Sequence, residues 1–361
     1  MYLIVTRTFP PDVGGMQNLM GGLAKTLSKH DLIKVFADYA DGHQQFDDNV
    51  SFSVERIGGA KIFRKLRKSY LINEFLKKNK NIKCIIADHW KSLELIKSNK
   101  KKICLIHSKE INHEIGTRLN KRVLNILNNV DYIVANSNYT KKLATDLGVN
   151  SEKIVVINPG IDPPKTIDVN SLEKANSLLE NRSPKLITVS RFDKRKNHEK
   201  IIMALRNLKQ FYPNIIYICV GYGDEENNIK KLVKELYLEK QVLFLKDISI
   251  DFKNALVAKS NLFLMPSIIY KKSVEGFGIA YIEAAQYGVP SIGGKDGGAA
   301  DAIIHNKTGM IVDGNNLDEI YSSINNLLEN NKFIEFGKNA KENSINFYWD
   351  KIVKNYLKIL N

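Results

Sequence analysis

The chain has 361 residues, of which 43% are hydrophobic and 26% charged. This is ordinary globular composition with apolar material for two domains, and it excludes a disordered chain, a collagen-like chain and a disulfide-stapled miniprotein. The formal net charge is +15. Residues 61–125 hold most of it, with 18 Lys and Arg against 5 Asp and Glu, and such a local basic field points to an anionic partner.

The opening MYLIVTRTFPPDVGG has no basic n-region and no small-residue cleavage site, so no secretory leader is expected. Tyr2–Thr6 is a short β-rich run. Pro10, Pro11, Gly14 and Gly15 follow, and a helical pattern then starts at Met16 and continues through Leu19, Leu23, Ala24 and Leu27. Strand, glycine loop and helix in that order open a doubly wound α/β domain. The alternation continues with strands at 32–37, 51–57, 82–87, 103–107, 131–135 and 154–157, and with helices near 61–78, 90–99, 116–129 and 138–146.

Residues 160–183 read as weakly structured. A second series then places strands at 185–190, 215–220, 242–245, 262–265 and 290–292, with helices near 197–211, 224–237, 252–259, 279–287 and 298–304. A last helix near 346–360 carries Phe347, Tyr348, Ile352, Val353, Tyr356, Leu357 and Ile359 at roughly helical spacing. The expected architecture is α/β, two Rossmann-like domains facing across a cleft, at 1–165 and 166–345, with helix 346–361 packing back on the first. Cys84, Cys104 and Cys219 lie in or beside apolar runs with no CxxC spacing, and are expected as buried thiols. No apolar run approaches the ~20 residues that span a bilayer.

Four constellations at strand ends can carry chemistry. Gly14-Gly15 lets a backbone approach an anion closely, although by itself such a pair is more often just a turn. Ser190-Arg-Phe-Asp-Lys-Arg-Lys-Asn197 follows a strand and precedes a helix; Arg191 and Lys196 in it suit a diphosphate, and the competing reading is a solvated basic loop. Glu275-Gly-Phe-Gly-Ile-Ala-Tyr-Ile-Glu283 sets two carboxylates eight residues apart around a helix start. Gly276 and Gly278 expose backbone there, and the apolar flanks of Glu283 argue against a solvent-facing role. His107 closes an apolar strand with Glu110 behind it, either to meet a sugar hydroxyl or as a structural histidine. HExxH, GxSxG, P-loop and DxD patterns are absent, so no metal and no cofactor are expected, side-chain cations standing in for a divalent ion.

These constellations together resemble the retaining family 4 glycosyltransferases of the GT-B fold. The resemblance runs over nearly the whole chain. Phe9-Pro-Pro-Asp-Val-Gly-Gly-Met-Gln17 is similar to the family's FPP-x-x-GG-x-Q opening, and Asn158-Pro-Gly-Ile-Asp162 to its junction element. Ser190–Asn197 is similar to its SR-x-x-x-x-KG loop, with Asn197 in place of Gly. Val220-Gly-Tyr-Gly223 resembles VGxGP with Asp224 for Pro, and Pro266-Ser267 matches PS. The strongest piece runs from Glu275 to Gly314. EGFGI-x-Y-x-E and the FPP opening look most like mannosyltransferases acting on phosphatidylinositol mannosides. Their HGHE element reads His107-Ser-Lys-Glu110 here, with Lys109 for the second His.

The resemblance implies a metal-independent hexosyl transfer from a nucleotide-diphosphate sugar, GDP-mannose or a UDP-hexose, to a membrane lipid or lipid-linked glycan. It makes His107, Arg191, Lys196 and Glu275 the catalytic group. It assigns the donor to Gly14, Gly15, Arg191, Lys196, Glu275, Gly276, Phe277, Gly278 and Glu283, with Glu283 on the ribose. Gln17, His107 and Glu110 fall on the acceptor side. In the basic segment, Ile62, Phe63, Leu66 and Tyr70 share one helical side among Lys61, Arg64, Lys65, Arg67 and Lys68, the composition of an interfacial helix on anionic lipid; a solvated helix packed on the first domain is the other reading. The expected location is cytoplasmic, peripheral on the inner face of the cytoplasmic membrane. Three alternatives stand beside this reading: a soluble acceptor, a catalytically silent scaffold, and a nucleic-acid-binding protein. The last is disfavoured because the lysines cluster in one segment without aromatics spaced for base stacking.

Overall fold

The computed structural model describes residues 1–361. They divide into two compact units, residues 1–162 with 347–361, and residues 163–346. The first unit contains β1 (Tyr2–Val5), α1 (Gly15–Leu27), β2 (Ile33–Asp38), α2 (His43–Asp47), β3 (Ser53–Ile57), α3 (Lys61–Lys78), β4 (Cys84–Ala87), α4 (Trp90–Leu93), β5 (Lys101–Ile106), α5 (Arg118–Leu127), β6 (Tyr132–Ala135), α6 (Asn138–Asp146) and β7 (Ile154–Val156). The second contains α7 (Val169–Leu178), β8 (Lys185–Val189), α8 (His198–Phe211), β9 (Ile216–Val220), α9 (Glu226–Glu235), β10 (Val242–Leu245), α10 (Ile250–Ala258), β11 (Leu262–Met265), α11 (Ile279–Gln286), β12 (Ser291–Gly294), α12 (Ala299–Ala302), β13 (Gly309–Val312), α13 (Leu317–Leu328) and α14 (Lys332–Ser344). The chain then returns to the first unit as α15 (Trp349–Leu360).

Each unit is a parallel sheet covered by helices. The strand orders are β3-β2-β1-β4-β5-β6-β7 and β10-β9-β8-β11-β12-β13. Parallel strands buried on both faces read as continuous apolar runs, and β1, β4 and β11 are buried at every residue. In each sheet the chain builds outward from one strand and then restarts beside it. The switch falls between β1 and β4 in the first sheet and between β8 and β11 in the second. Loops leaving two such neighbours part to opposite sides and open a crevice beyond their carboxyl ends.

Helix α15 belongs to the core of the first unit. Its Trp349, Ile352, Val353, Tyr356 and Leu360 pack with Leu19, Met20 and Leu23 of α1. The Ile161 N–H donates to the Phe347 carbonyl at 2.9 Å, and the Trp349 N–H donates back to Ile161 at 3.1 Å. The Trp349 ring lies flat against backbone at two glycines: a Cβ on Gly22 would stand 2.3 Å from it, and one on Gly160 2.5 Å.

The sequence reading departs from the structure at several elements. The 160–183 stretch, read as weakly structured, contains α7. Its buried face is only Ser171 and Ala175, too slight to give a period, and Asp168 caps it by accepting from the Ser171 N–H. The 90–99 helix is confined to Trp90–Leu93, because Asn73 accepts the Lys97 N–H and donates to the Leu95 carbonyl. The 298–304 helix is confined to Ala299–Ala302. Strand β13 and helices α13 and α14 had no counterpart in that reading. All three cysteines are buried free thiols, and burial pushes the Cys84 thiol up to about 12.

Gly22→Ala gains about 1 kcal/mol of helix propensity, yet the new methyl meets the Trp349 ring. We expect a net destabilisation of about 1–3 kcal/mol, measured by urea unfolding of the full chain. A variant as stable as the wild type would mean the ring is free to move.

Candidate functional site

The crevice of the second unit is built by two loops, one after β8 and one after β11. The first, residues 190–197, is fixed at both ends. Ser190 Oγ lies 3.2 Å from His198 Nε2, and His198 Nδ1 lies 2.8 Å from the Tyr217 hydroxyl. Burial, aided by Lys196, holds the His198 pKa down at about 3, so this pillar is neutral. Asn197 adopts a left-handed φ of 62°, and its amide donates to the carbonyls of Pro266 (2.9 Å) and Gly314 (2.7 Å). Asn is the side-chain-bearing residue that best tolerates this backbone region, and here its amide also ties the turn to two neighbouring segments. Asp193 Oδ1 accepts the Lys196 N–H at 3.2 Å and closes the turn.

The second loop, residues 266–278, is stitched to the first. The Ile268 N–H donates to the Arg195 carbonyl at 3.0 Å. Glu275 forms an isolated parallel bridge with Gly297, and the Gly298 N–H donates to the Glu275 carbonyl at 2.8 Å. At Gly278, φ is +91°, and a Cβ would stand 2.3 Å from the buried ring of Tyr281; only glycine fits there. The Tyr281 hydroxyl donates to the Met265 carbonyl at 2.6 Å, pinning α11 to the end of β11.

These loops bring together three side chains. Glu275 Oε2 accepts from Arg195 Nη1 at 2.6 Å and from Lys196 Nζ at 2.5 Å. Their side chains retain only 11–13% exposure. Burial alone would raise the Glu275 pKa, but the Lys196 and Arg195 charges and their hydrogen bonds prevail and hold it at about 2. Burial lowers the Lys196 pKa, with Glu275 opposing. Arg195 and Lys196 share Glu275, and Asp193 lies 3.7 Å from Arg195, so the two cations are balanced by two carboxylates beyond the carboxyl ends of β8 and β11, and an incoming anion competes with a carboxylate for a cation already there.

Of the expected donor residues, Lys196 and Glu275 meet directly, whereas the Arg191 side chain is exposed. Arg195 was not singled out from the sequence. It sits in a run of three cations, and nothing in one dimension shows which of them turns inward. Gly276 and Gly278 flank Phe277, whose ring is buried. Glu283 is half-buried on α11 and lines a small depression with Lys253, Asn254 and Tyr287.

In the first unit, the β1/β4 switch point is organised by Asp88. Its Oδ2 accepts the Arg7 N–H at 2.8 Å and the Thr6 hydroxyl at 3.0 Å, and its Oδ1 accepts the Ser92 hydroxyl at 2.8 Å. His107, at the end of β5, places Nε2 3.2 Å from the Asp88 carbonyl. A carbonyl only accepts, so Nε2 carries the proton and Nδ1 is the basic nitrogen. Glu110 Oε1 accepts the His107 N–H at 2.5 Å, so these two expected residues do meet. Leu19, Leu105 and Asn136 pack together with His107. Gly14 and Gly15 open α1, and the Gln17 amide folds over Gly14.

Helix α3 corrects the expected basic face. Lys68 is buried, donating to Asp38 Oδ1 at 2.6 Å and to the Thr6 carbonyl at 2.7 Å. Arg64 lies 3.5 Å from Asp38, and Lys65 is paired with Glu94. Lys61 and Arg67 remain exposed. Of the apolar residues, Ile62 is 79% exposed, Phe63 58%, Leu66 57% and Tyr70 66%. The helix therefore turns its cations partly inward and its apolar side chains outward.

Comparison with known proteins agrees with this division. Residues 13–165 match the family model "Glycosyltransferase Family 4", and residues 170–347 match "Glycosyl transferases group 1". Over 90% of its length the chain is 25% identical to a GDP-mannose-dependent alpha-(1-6)-phosphatidylinositol monomannoside mannosyltransferase of Mycolicibacterium smegmatis, covering 88% of that protein. The Anabaena HepE protein, solved with UDP, superposes with a TM-score of 0.83 at 21% identity over 99% of both chains. Sucrose-phosphate synthase from Thermosynechococcus elongatus gives 0.82 at 20% identity over 99% of this chain and 98% of that one.

Removing the carboxylate strands two nearly buried cations. Glu275→Ala should therefore destabilise the second unit by about 3–5 kcal/mol at neutral pH. The Glu275 pKa is depressed on folding, so its contribution is complete above its ordinary 4.5 and is lost as pH falls towards 2. Urea unfolding across that window should show the wild type and the variant converging. A gap independent of pH would mean the ion cluster is not its source.

Proposed function

The chain belongs to the GT-B glycosyltransferases, a family 4 domain followed by a group 1 domain, and we propose that it is a retaining, metal-independent hexosyltransferase whose acceptor is a membrane lipid or lipid-linked glycan. The observation that carries this reading is the Arg195–Glu275–Lys196 cluster at the β8/β11 switch point. It sets fixed positive charge beside a carboxylate able to receive sugar hydroxyls.

Lys196, with Arg191 reaching in from the exposed end of the loop, binds the donor diphosphate. Glu275 and the backbone of Gly276, Phe277 and Gly278 hold the sugar, and Glu283 takes the ribose hydroxyls. As the bond from the anomeric carbon to the phosphate oxygen breaks, negative charge grows on the diphosphate. The Lys196 ammonium, once on the diphosphate, stabilises that growing charge. The acceptor oxygen bonds to the same face of the sugar, and its proton passes to the departing phosphate oxygen, so configuration is retained with no separate protein base. On the first unit, the acceptor side comprises His107, Glu110 and Gln17. The M. smegmatis relative supports GDP-mannose as the donor.

The outer face of α3 supports a lipid surface. Its exposed apolar stripe and the free charges of Lys61 and Arg67 suit an anionic leaflet, each cation adding about 1 kcal/mol near it. No helix of the chain is long and apolar enough to cross a membrane.

Three outcomes are expected. Among GDP, UDP and ADP and their sugars, one nucleotide series raises the melting temperature. That response disappears in Glu283→Ala and in Arg191→Ala/Lys196→Ala; unaltered shifts in those variants would place the donor elsewhere. Transfer persists in excess chelator, and dependence on added manganese would refute the role given to Lys196. The protein co-sediments with anionic vesicles, and Phe63→Ala/Leu66→Ala weakens this about tenfold or more. If the wild type stays in the supernatant, the acceptor is soluble.

A further inference from the structure

Arg195 and Lys196 hold the same oxygen of Glu275, but they are not held alike. The Arg195 guanidinium is anchored at two points. Its Nη1 donates to Glu275 and its Nη2 lies 3.7 Å from Asp193. Lys196 extends a flexible stem whose other hydrogen-bond partner is Met265 Sδ at 3.2 Å, a weak acceptor. Guanidinium is a rigid fork suited to a permanent ion pair, and ammonium is a movable point charge.

We propose that Arg195 is a positioning residue: it keeps the Glu275 carboxylate fixed and charge-balanced, and so frees Lys196 to leave that carboxylate for the donor diphosphate. This rests on the reading that Lys196 binds the diphosphate. With a single cation, drawing Lys196 onto phosphate would abandon a nearly buried carboxylate, which is strongly unfavourable. With two, one stays while the other moves. The paired cations divide holding from catching.

The division is tested by titrating GDP and UDP calorimetrically into the full-length wild type, Arg195→Met, Arg195→Lys, Lys196→Met and the double variant Arg195→Met/Glu275→Gln, with the nucleotide that binds the wild type serving as the probe. Arg195→Met keeps Glu275 paired with Lys196, and its melting temperature checks that it folds. We expect it to lose about tenfold or more in affinity, because Lys196 is now bound to its sole carboxylate. Arg195→Lys should recover most of that loss. Glu275→Gln placed in the Arg195→Met background should restore affinity, because no carboxylate then competes for Lys196, while glycosyl transfer stays impaired. Without that restoration, Arg195 contacts the phosphates itself and the inference falls. Unchanged affinity in Arg195→Met also overturns it. Lys196→Met reports on the underlying reading: if that variant binds the nucleotide as tightly as the wild type, the diphosphate site is misplaced whatever Arg195 does.

Discussion

A carboxylate taken out of water must be paired or hydrogen-bonded, and the loops of the second unit are arranged to meet that requirement with cations at Glu275. The β8/β11 switch opens a crevice, Asn197 bends the first loop so that residues 195 and 196 turn inward, and Gly297, Gly298 and Gly278 hold the second loop where the carboxylate meets them. None of these devices acts alone. The left-handed turn is secured by carbonyls of the neighbouring segments, and those segments are secured by the turn. A buried ion pair of this kind adds little net stability compared with an apolar core. Its retention beyond the strand ends, where chemistry in such folds takes place, is best understood as readiness for an anion.

The first unit meets the corresponding constraint with different groups. At the β1/β4 switch the buried carboxylate is Asp88, and hydroxyls and backbone N–H groups satisfy it in place of cations. The same fold therefore meets its buried carboxylate with cations in one unit and with hydroxyl and N–H donors in the other.

Much of this was legible in the chain. Apolar runs such as Tyr2–Val5 and Leu262–Met265 mark central strands, and α3 was placed residue for residue at 61–78. The pairing of positions 196 and 275, 79 residues apart, was legible only as two motifs at strand ends. Inward direction was not legible. Lys194, Arg195 and Lys196 look alike in one dimension, and the structure alone selects two of them. Lys68 went astray for the same reason. Its periodicity places it on α3, but an aspartate on β2, thirty residues away, decides that it faces the core. Helix α7 was lost because a face of Ser171 and Ala175 leaves almost no apolar signal.

The chain has two tryptophans, Trp90 and Trp349, and both are buried in the first unit. The indole of Trp349 is wedged between the glycine backbones of α1 and the 158–162 connection, and the second unit contains no indole. Tryptophan emission from this protein is thus a one-sided signal. It follows melting of the first unit and of the α15 seam, and only the tyrosines, Tyr217 and Tyr281 among them, report on the second unit. A denaturation curve from tryptophan emission alone would describe half of the molecule.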